Sequence, residues 1–327
     1  MSVPSRLDMP ETRHRPKIAV TLGDPRGIGP EVTRAALEDP AIASAADFVV
    51  LGPELATLDP ASRTFGAAEH VAIGSWTHGG EQEAGRLSGQ AIDLGISMAL
   101  SGTVDGLVTA PIAKTALHAA GYDFPGHTEF LRDRCGVPDV TMIMATEETA
   151  LGGALRVALL TVHVPLRDVA DLLDVELVVR RSIIAARALR EWWGIGRPRL
   201  ALAGVNPHAS EKGLFGDEEE RVLRPAVERL AASADLEIAG IYPADTVFRK
   251  CLDGTVDAVV VPYHDVGLAV LKTVAGNTGV NVTAGLPFPR TSPDHGTAFD
   301  IAGRGLADSS SMKSAVGECI RFCRRGR

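Results

Sequence analysis

The sequence predicts an α/β fold in which parallel sheets are covered by helices on both faces. Short runs of β-branched and aliphatic residues alternate along the chain with longer stretches whose apolar residues recur at helical spacing. Aromatic residues make up only 5% of the chain, which favours helix-on-sheet layers over an all-β protein. With 327 residues, the chain exceeds the usual size of a single hydrophobic core. We therefore expect two domains.

The individual elements follow from these two periodicities. Apolar runs predict buried strands at 17–22, 47–51, 106–109, 156–162, 199–203 and 258–261. Apolar residues at helical spacing predict helices at 30–37, 85–100, 169–193 and 218–232. Strand and helix in alternation lead to parallel strands, because the helix returns the chain across one face of the sheet.

Composition excludes several classes of partner. The net charge is −8, and no stripe of Lys and Arg interleaved with aromatic residues occurs, so a nucleic acid partner is not expected. No apolar run approaches the roughly 18 residues of a membrane span, and no signal-peptide segment is recognisable, so we expect no membrane association. The four cysteines form no CxxC pair, which favours reduced thiols and a cytoplasmic protein. Residues 1–16 are polar and predict a loose leader.

Polar clusters rich in Gly and Pro follow most of the predicted strands. They occupy residues 23–31, 109–114, 162–168, 204–219, 242–248 and 262–272. Ligand sites in open α/β folds lie beyond the carboxyl ends of the strands. We therefore expect these clusters to build one shared site.

Three histidines in these clusters are candidate metal ligands. His163, His208 and His264 each follow a predicted strand within a few residues. Neutral imidazole is a common ligand for divalent metals, and three such ligands leave positions open for a substrate. Asp245 and Asp265 lie near the same strand ends as further ligands or as partners that orient an imidazole. The alternative, that each histidine is an ordinary hydrogen-bonded loop residue, remains open at this point.

Two further segments contain candidate anion ligands. In FPGHTEF, His127 and Thr128 can donate to phosphate or carboxylate oxygens, although a helix start with Thr128 as N-cap explains the pattern equally well. Lys272, Asn281 and Arg290 lie nine residues apart and offer a point charge, an amide and a rigid guanidinium fork. Surface cations beside a turn are the alternative. Because the segment 281–290 is apolar, a buried Arg290 would need an anionic partner.

Other familiar chemistries are less well supported. The segment 23–31, GDPRGIGPE, lacks the spacing of a G-x-G-x-x-G dinucleotide loop, and Pro30 predicts a tight strand-to-helix turn instead. No G-x-S-x-G motif occurs, and no cysteine shares a basic strand-end loop with a histidine. Hydrolysis by a metal-activated water stays open, because three histidines suit that chemistry as well.

Taken together, the motifs resemble those of the 4-hydroxythreonine-4-phosphate dehydrogenase family of pyridoxal phosphate synthesis and its paralogues. The resemblance extends over residues 17–305. Its motifs, in chain order, are GDPRGIGPE, TAPIAK, GYDFPGHTEFL, TVHVPLRD, GVNPHASEKGLFGDEE, PADTVF, YHDVGL and GVNVTAGLPFPRTSPDHGTAFDIAGRG.

The resemblance implies a fold like that of isocitrate and isopropylmalate dehydrogenases, with two α/β/α domains and a cleft between them. Residues 17–130 and 275–327 would form the first domain, on the cofactor side. Residues 131–274 would form the second domain, on the metal and dimer side. The chain would form a homodimer in which both subunits complete each site.

The resemblance also implies an activity and roles for residues. It implies oxidation of the hydroxyl group of 4-(phosphooxy)-L-threonine, with decarboxylation of the resulting β-keto acid, using NAD (or NADP) and a divalent metal such as Zn, Mg, Mn or Co. The implied roles are metal ligands at His163, His208 and His264, substrate contacts at His127, Thr128, Lys272, Asn281 and Arg290, catalytic candidates at Asp245 and Lys272, and cofactor contacts at Asp294 and His295.

Some positions depart from the common family pattern. Val266 stands where Gln is usual, and Pro289 stands where an aliphatic residue is usual. The GLFGDEE and TAGLPF segments look more like paralogues that oxidise D-threonate or D-erythronate 4-phosphate. Those paralogues are the first alternative activity. A metal-dependent hydrolase and a catalytically silent binding protein are the more distant ones.

Overall fold

The computed structural model describes residues 15–55 and 64–325. The leader predicted over residues 1–16 lies, apart from Arg15 and Pro16, outside the described residues. Within the described ranges, strands join into a single sheet and helices cover both of its faces. The α/β class predicted from the sequence is therefore confirmed. None of the helices in those ranges has the length and apolar character needed to cross a bilayer.

The strands and helices alternate along most of the chain. The strands are β1 (Lys17–Thr21), β2 (Asp47–Leu55), β3 (Glu69–Trp76), β4 (Gly106–Thr109), β5 (Thr141–Thr146), β6 (Leu155–Leu159), β7 (Arg199–Ala203), β8 (Glu237–Tyr242), β9 (Ala258–Val261), β10 (Val280–Ala284) and β11 (Arg290–Pro293). The helices are α1 (Gly29–Leu37), α2 (Pro40–Ala43), α3 (Glu81–Leu100), α4 (Lys114–Ala119), α5 (His127–Arg134), α6 (Leu166–Leu172), α7 (Val175–Glu191), α8 (Arg224–Ala231), α9 (Val247–Leu252), α10 (His264–Ala275) and α11 (Ser310–Arg325). A 3-10 turn, Pro207–Glu211, and a π turn, Glu219–Leu223, precede α8.

The sheet is mixed, so the expectation of wholly parallel strands is wrong. The strand order is β3-β2-β1-β4-β11-β10-β5-β6-β9-β7-β8. β10 runs antiparallel to both β11 and β5, and β5 runs antiparallel to β6. The linkers 285–289 and 147–154 are shorter than the roughly dozen residues that a parallel crossover needs. Short linkers therefore reverse the chain at the centre of the sheet.

This reversal places the two halves of the sheet in opposite directions. β1, β2, β3, β4 and β11 run one way, whereas β6, β7, β8 and β9 run the other way. The strands of 17–130 and 275–327 occupy one end of the sheet and those of 131–274 occupy the other. The carboxyl ends of the strands therefore point in opposite directions in the two halves of the sheet. The division into two domains remains a prediction.

Both faces of the sheet are buried, as helical layers on each side require. In β1, Ile18 and Val20 face a core cluster that also contains residues of α1 and α11. Ala19, between them, faces a second cluster with Ile92 and Ile96 of α3. Successive side chains of a strand point to opposite faces, so this segment is apolar throughout.

One predicted helix is divided in two. The segment 169–193 was expected to form a continuous helix, but α6 ends at Leu172 and α7 begins at Val175. Asp174 is the N-cap of α7, and its side chain accepts a hydrogen bond from the Leu177 amide at 2.7 Å. The Leu177 amide therefore bonds to the Asp174 side chain and not to a carbonyl of a preceding helical turn, so a new helix begins there.

Candidate active site

A cavity of about 330 Å³ lies over the central strands, where the two halves of the sheet meet. Asn281 of β10 pairs with Ser292 of β11 on one side and with Met144 of β5 on the other. Most of the predicted substrate and cofactor residues, together with one predicted metal ligand, line the cavity: His127, Thr128, His163, Asn281, Arg290, Asp294 and His295. Segments nearly 170 residues apart in sequence thus meet over one face of the sheet.

Arg290 is the most informative residue of this cavity. Its side chain is only 1% exposed, and it donates to the hydroxyls of Thr283 at 2.9 Å and Thr109 at 2.6 Å. Its Nε has no hydrogen-bond partner, and no carboxylate among the described residues forms an ion pair with it. Burial lowers the pKa of the guanidinium to about 9. A buried charge of this kind is costly unless an anion accompanies it, so the cavity favours an anionic ligand.

Further polar atoms of the cavity are also buried with no hydrogen-bond partner in the part of the chain that the structure describes. They are Nε2 of His127, Oδ1 of Asn281 and Nε2 of His295. Buried polar groups are normally hydrogen-bonded, so several unsatisfied atoms around one cavity indicate a bound ligand. Burial, followed by the charges of Arg290 and Lys114, holds the pKa of His127 well below its ordinary value. His127 is therefore a neutral imidazole that can donate from one nitrogen and accept at the other.

The FPGHTEF segment, residues 124–130, contains the start of α5. The helix begins at His127 with Gly126 as its N-cap, so the alternative in which Thr128 is the cap is wrong. Thr128 is instead buried in the first turn and lines the cavity. The first amides of a helix have no partner within it and favour anions. The helix start and a position suited to an anion therefore coincide here.

Two charged residues of the cavity were missed by the sequence analysis. Lys114 and Glu129 both line it, and neither forms an ion pair within the part of the chain that the structure describes. A Cβ built on Gly126 would lie 3.6 Å from Cε of Lys114 and 3.6 Å from Oε2 of Glu129. Their position as the last residues of TAPIAK and GHTE was the signal that could have identified them.

Two of the three candidate metal ligands lie side by side. The ring centroids of His163 and His264 are 5.6 Å apart, with an angle of 43° between the rings. Nδ1 of His264 is 2.7 Å from Oδ1 of Asp265, which leaves Nε2 as the free nitrogen. Burial, then Lys114 and His264, lowers the pKa of His163. Two imidazoles at this separation, one oriented by a carboxylate, suit a divalent metal.

The third histidine, His208, does not lie beside the other two in the structure. His208 is exposed, and its described ring contact is with Phe215, at a centroid distance of 6.3 Å. Among the described residues, no group of three or more His, Cys, Asp or Glu side chains could hold a metal. Asp245 is exposed beyond the outer strand β8 and does not line the cavity. A single chain therefore brings together two candidate ligands and leaves His208 and Asp245 apart from them.

Lys272 does not line the cavity, but it contacts Asp294, which does. Its Nζ donates to the backbone oxygen of Asp294 at 3.2 Å and lies 3.4 Å from the Asp294 carboxylate. Burial raises the pKa of Asp294, whereas the nearby Lys272 opposes that shift. The contact joins α10 of the second half of the sheet to the loop that follows β11.

The GDPRGIGPE segment forms a tight turn next to the same loops. The predicted strand-to-helix turn is confirmed, since β1 ends at Thr21 and α1 begins at Gly29 with Pro30 in its first turn. A Cβ on Gly23, which has φ +70°, would lie 2.1 Å from the Pro111 oxygen. The Ile28 amide donates to the Thr297 oxygen at 2.9 Å. Close packing against both loops explains the glycine.

Comparison with known proteins identifies a family. The sequence model of the family described as pyridoxal phosphate biosynthetic protein PdxA matches residues 41–319. A 4-hydroxythreonine-4-phosphate dehydrogenase of Burkholderia vietnamiensis is 41% identical over 95% of this chain and 98% of its own length. The enzyme of the same name from Desulforapulum autotrophicum is 39% identical over 93% of this chain and 95% of its own.

A solved structure shares the fold. The crystal structure of 4-hydroxythreonine-4-phosphate dehydrogenase from Klebsiella pneumoniae aligns with a TM-score of 0.81 and 41% sequence identity. The alignment covers 94% of this chain and 99% of that one. The likeness therefore extends over both halves of the sheet.

Proposed function

Because the chain belongs to the family of pyridoxal phosphate biosynthetic protein PdxA, we propose that it is an NAD-dependent, divalent-metal-dependent dehydrogenase of a small phosphorylated hydroxy acid. The reaction is oxidation of a hydroxyl group followed by decarboxylation of the resulting β-keto acid. The observation that carries this proposal is the buried guanidinium of Arg290, which has no anionic partner within the described residues and faces a cavity with other unsatisfied polar atoms.

Different residues of the cavity bind different groups of the substrate. Arg290 takes one anionic group of the substrate, and its contacts with Thr109 and Thr283 keep the guanidinium in one orientation. The first turn of α5, with His127 and Thr128, takes a second anionic group. With both anionic groups held, the reacting carbon is kept in one position, which favours reaction through proximity and orientation.

The histidines suit a divalent metal. His163 and His264 are the ligands that one chain offers, with Asp265 fixing the tautomer of His264. A divalent cation held by these residues would supply Lewis acidity for oxidation of the substrate hydroxyl and for the decarboxylation that follows. His208 is the third ligand in this proposal and must come from a second copy of the chain.

Exposed apolar side chains favour such a homodimer. Leu166, three residues after His163, is 68% exposed, and Leu214, six residues after His208, is 71% exposed. Val164 and Phe215 are also exposed in these segments. Clustered apolar surface is characteristic of protein interfaces. Covering it with a second copy brings the His208 segment of one chain to the His163 segment of the other.

The remaining assignments complete the proposal. In this proposal Asp294 and His295, which line the cavity, contact NAD, and Lys272 and Asp245 are the candidate catalytic residues. Lys272 contacts Asp294 and is the nearer of the two to the cavity. Residues 17–130 with 275–327 form the cofactor domain and residues 131–274 the metal and dimer domain, in a cytoplasmic protein.

The substrate proposed first is 4-(phosphooxy)-L-threonine. The GLFGDEE and TAGLPF segments favour D-threonate or D-erythronate 4-phosphate as the second candidate. All three substrates contain a carboxylate and a phosphate at opposite ends of a short chain, so all three suit two anionic anchors.

One assay tests the proposal and separates the alternatives. The purified protein is mixed with a divalent metal, NAD or NADP, and each of the three substrates, and reduced cofactor is followed by its absorbance. We expect metal-dependent reduction with one substrate and release of carbon dioxide in equal amount. Phosphate release without cofactor reduction would instead indicate a hydrolase. Binding of all three substrates without turnover would indicate a binding protein.

A further inference from the structure

The π turn before α8 contains a buried carboxylate that none of the roles above explains. Glu219 is 2% exposed, and no cation among the described residues pairs with it. Its Oε1 accepts hydrogen bonds from the Val205 and Asn206 amides, both at 2.8 Å. Its Oε2 accepts from Nδ2 of Asn206 at 2.9 Å. All three donors belong to the start of the loop that contains His208.

Two glycines make this contact possible. A Cβ on Gly204 would lie 3.2 Å from Oε1 of Glu219 and 3.0 Å from Cα of Ala209. A Cβ on Gly216, which has φ +132°, would lie 2.6 Å from Nδ2 of Asn206. Both ends of the loop 204–216 therefore close around the same pair, Asn206 and Glu219.

Between these ends the backbone is strained. His208, Ala209, Ser210, Glu211 and Lys212 all have positive φ, at 54°, 53°, 64°, 44° and 61°. None of these residues is glycine, and residues that have a side chain rarely adopt a positive φ. Such conformations persist only where the surrounding structure holds them, and they concentrate at functional sites. The Glu219 carboxylate supplies that restraint by binding Asn206, which lies two residues before His208.

We propose that Glu219 is a positioning residue, whose buried carboxylate holds the loop 204–216 so that the imidazole of His208 points outward toward a second copy of the chain. The inference rests on the proposed function for its purpose, since His208 is there a ligand shared across the dimer. The restraint itself belongs to one chain and can be measured without any metal.

Glu219→Gln is the sharpest substitution. The amide oxygen can still accept from the two backbone amides, but the new NH2 group faces Nδ2 of Asn206, so two donors oppose each other. Glu220→Gln is the matched control. It removes the same charge one residue later, at an exposed side chain whose ion pair with Arg224 lies on the surface.

Amide hydrogen exchange of the full-length protein tests the restraint directly. We expect the 204–216 segment to exchange at least about tenfold faster in Glu219→Gln, because a lost anchor lowers its local opening free energy. The rest of the chain and the whole of Glu220→Gln should match the wild type. Unchanged exchange in Glu219→Gln overturns the inference, whatever the metal does.

Cobalt titration tests whether the restraint acts through His208. The absorbance of bound Co²⁺ reports both its affinity and its ligand geometry. We expect Glu219→Gln to weaken Co²⁺ binding about 10- to 100-fold, as other outer-sphere substitutions do. The double variant with His208→Asn should bind no more weakly than His208→Asn alone, because residues that act as one unit are not additive.

The outcomes separate the two proposals. Additive losses in the double variant would overturn action through His208. Unchanged Co²⁺ binding in His208→Asn would contradict the proposed metal site, whereas the exchange rates would still decide whether Glu219 holds the loop.

Discussion

The anion cavity and the histidine segments differ in how much of each is built within one chain. The cavity lies over the centre of the sheet, and its main charge, Arg290, is held by two hydroxyls. His163 and His208 lie on loops, and His264 is the first residue of α10. The rings of His163 and His264 are adjacent, whereas His208 is exposed on a strained turn. Within the described residues of one chain, the polar groups that line the cavity already converge, whereas the three histidines do not.

The difference follows from what surrounds each set of residues. Strand pairing fixes the positions of Asn281 and Ser292 to within the register of the sheet. Loops beyond the strand ends have no such register, so their shape depends on local restraints and on surfaces covered by another molecule. We therefore expect binding of the substrate anion to be a property of one chain and metal binding to be a property of a dimer.

Mixing two inactive variants tests this contrast most severely. His163→Asn and His208→Asn should each lose nearly all metal-dependent turnover, and Asn tolerates the positive φ at both positions. Co-expressed in equal amounts, they should recover about a quarter of wild-type activity. Half of the dimers are then mixed, and each mixed dimer has one intact site of two. Activity measured on the unfractionated mixture checks this, whereas mixed dimers isolated through a different tag on each variant should show about half of wild-type activity. No recovery in either sample would place all three ligands within one chain.

Substitution of Arg290 tests the cavity side of the comparison. Arg290→Met should lower kcat/KM at least about 30-fold, since losing a buried partner of a charged group costs about 2 kcal/mol or more. The melting temperature of the unliganded protein should not fall, because an unpaired buried charge is removed. Steady-state kinetics and thermal unfolding measure the two effects. Arg132→Met, on the exposed side of α5, is the control for charge alone.

Removing the support of one imidazole should have a smaller effect. In Asp265→Asn, Nδ1 of His264 loses its carboxylate partner at 2.7 Å, so the ring is oriented less firmly. We expect metal affinity to fall about tenfold, the lower end of the range for such partners. Binding of inorganic phosphate to the cavity should not change. If both affinities fall together, the two regions are coupled more closely than the comparison assumes.

The pH dependence of folding offers the smallest effect. Burial, with Arg290 and Lys114, lowers the pKa of His127 well below 6.5. Below pH 6.5 the unfolded chain therefore takes up a proton that the folded chain refuses, and the free energy of unfolding falls as the pH decreases. The slope of the free energy of unfolding against pH, measured with urea between about pH 5 and 7.5, should be shallower in His127→Asn than in the wild type. His78→Asn, at an exposed histidine, should leave the slope unchanged.

Part of the fold could be predicted from local pattern. The strands 106–109, 199–203 and 258–261 have the predicted bounds, because continuous apolar runs of this length must be buried on both faces. β3, β5 and β8 were not predicted. Neither were β10 and β11, in which the polar residues Asn281, Arg290 and Ser292 interrupt the apolar pattern. These residues face the cavity, so the pattern failed at the site itself.

By itself, the sequence determined the α/β class and the residues that could bind anions and metal, because both follow from residue chemistry and its placement after apolar runs. Only the tertiary structure decided that the sheet reverses at β10 and β5, that Arg290 is buried with no acidic partner among the described residues, and that His208 stands apart from His163 and His264. These outcomes depend on pairing and packing between segments far apart in the chain. Local pattern contains no information about such distances.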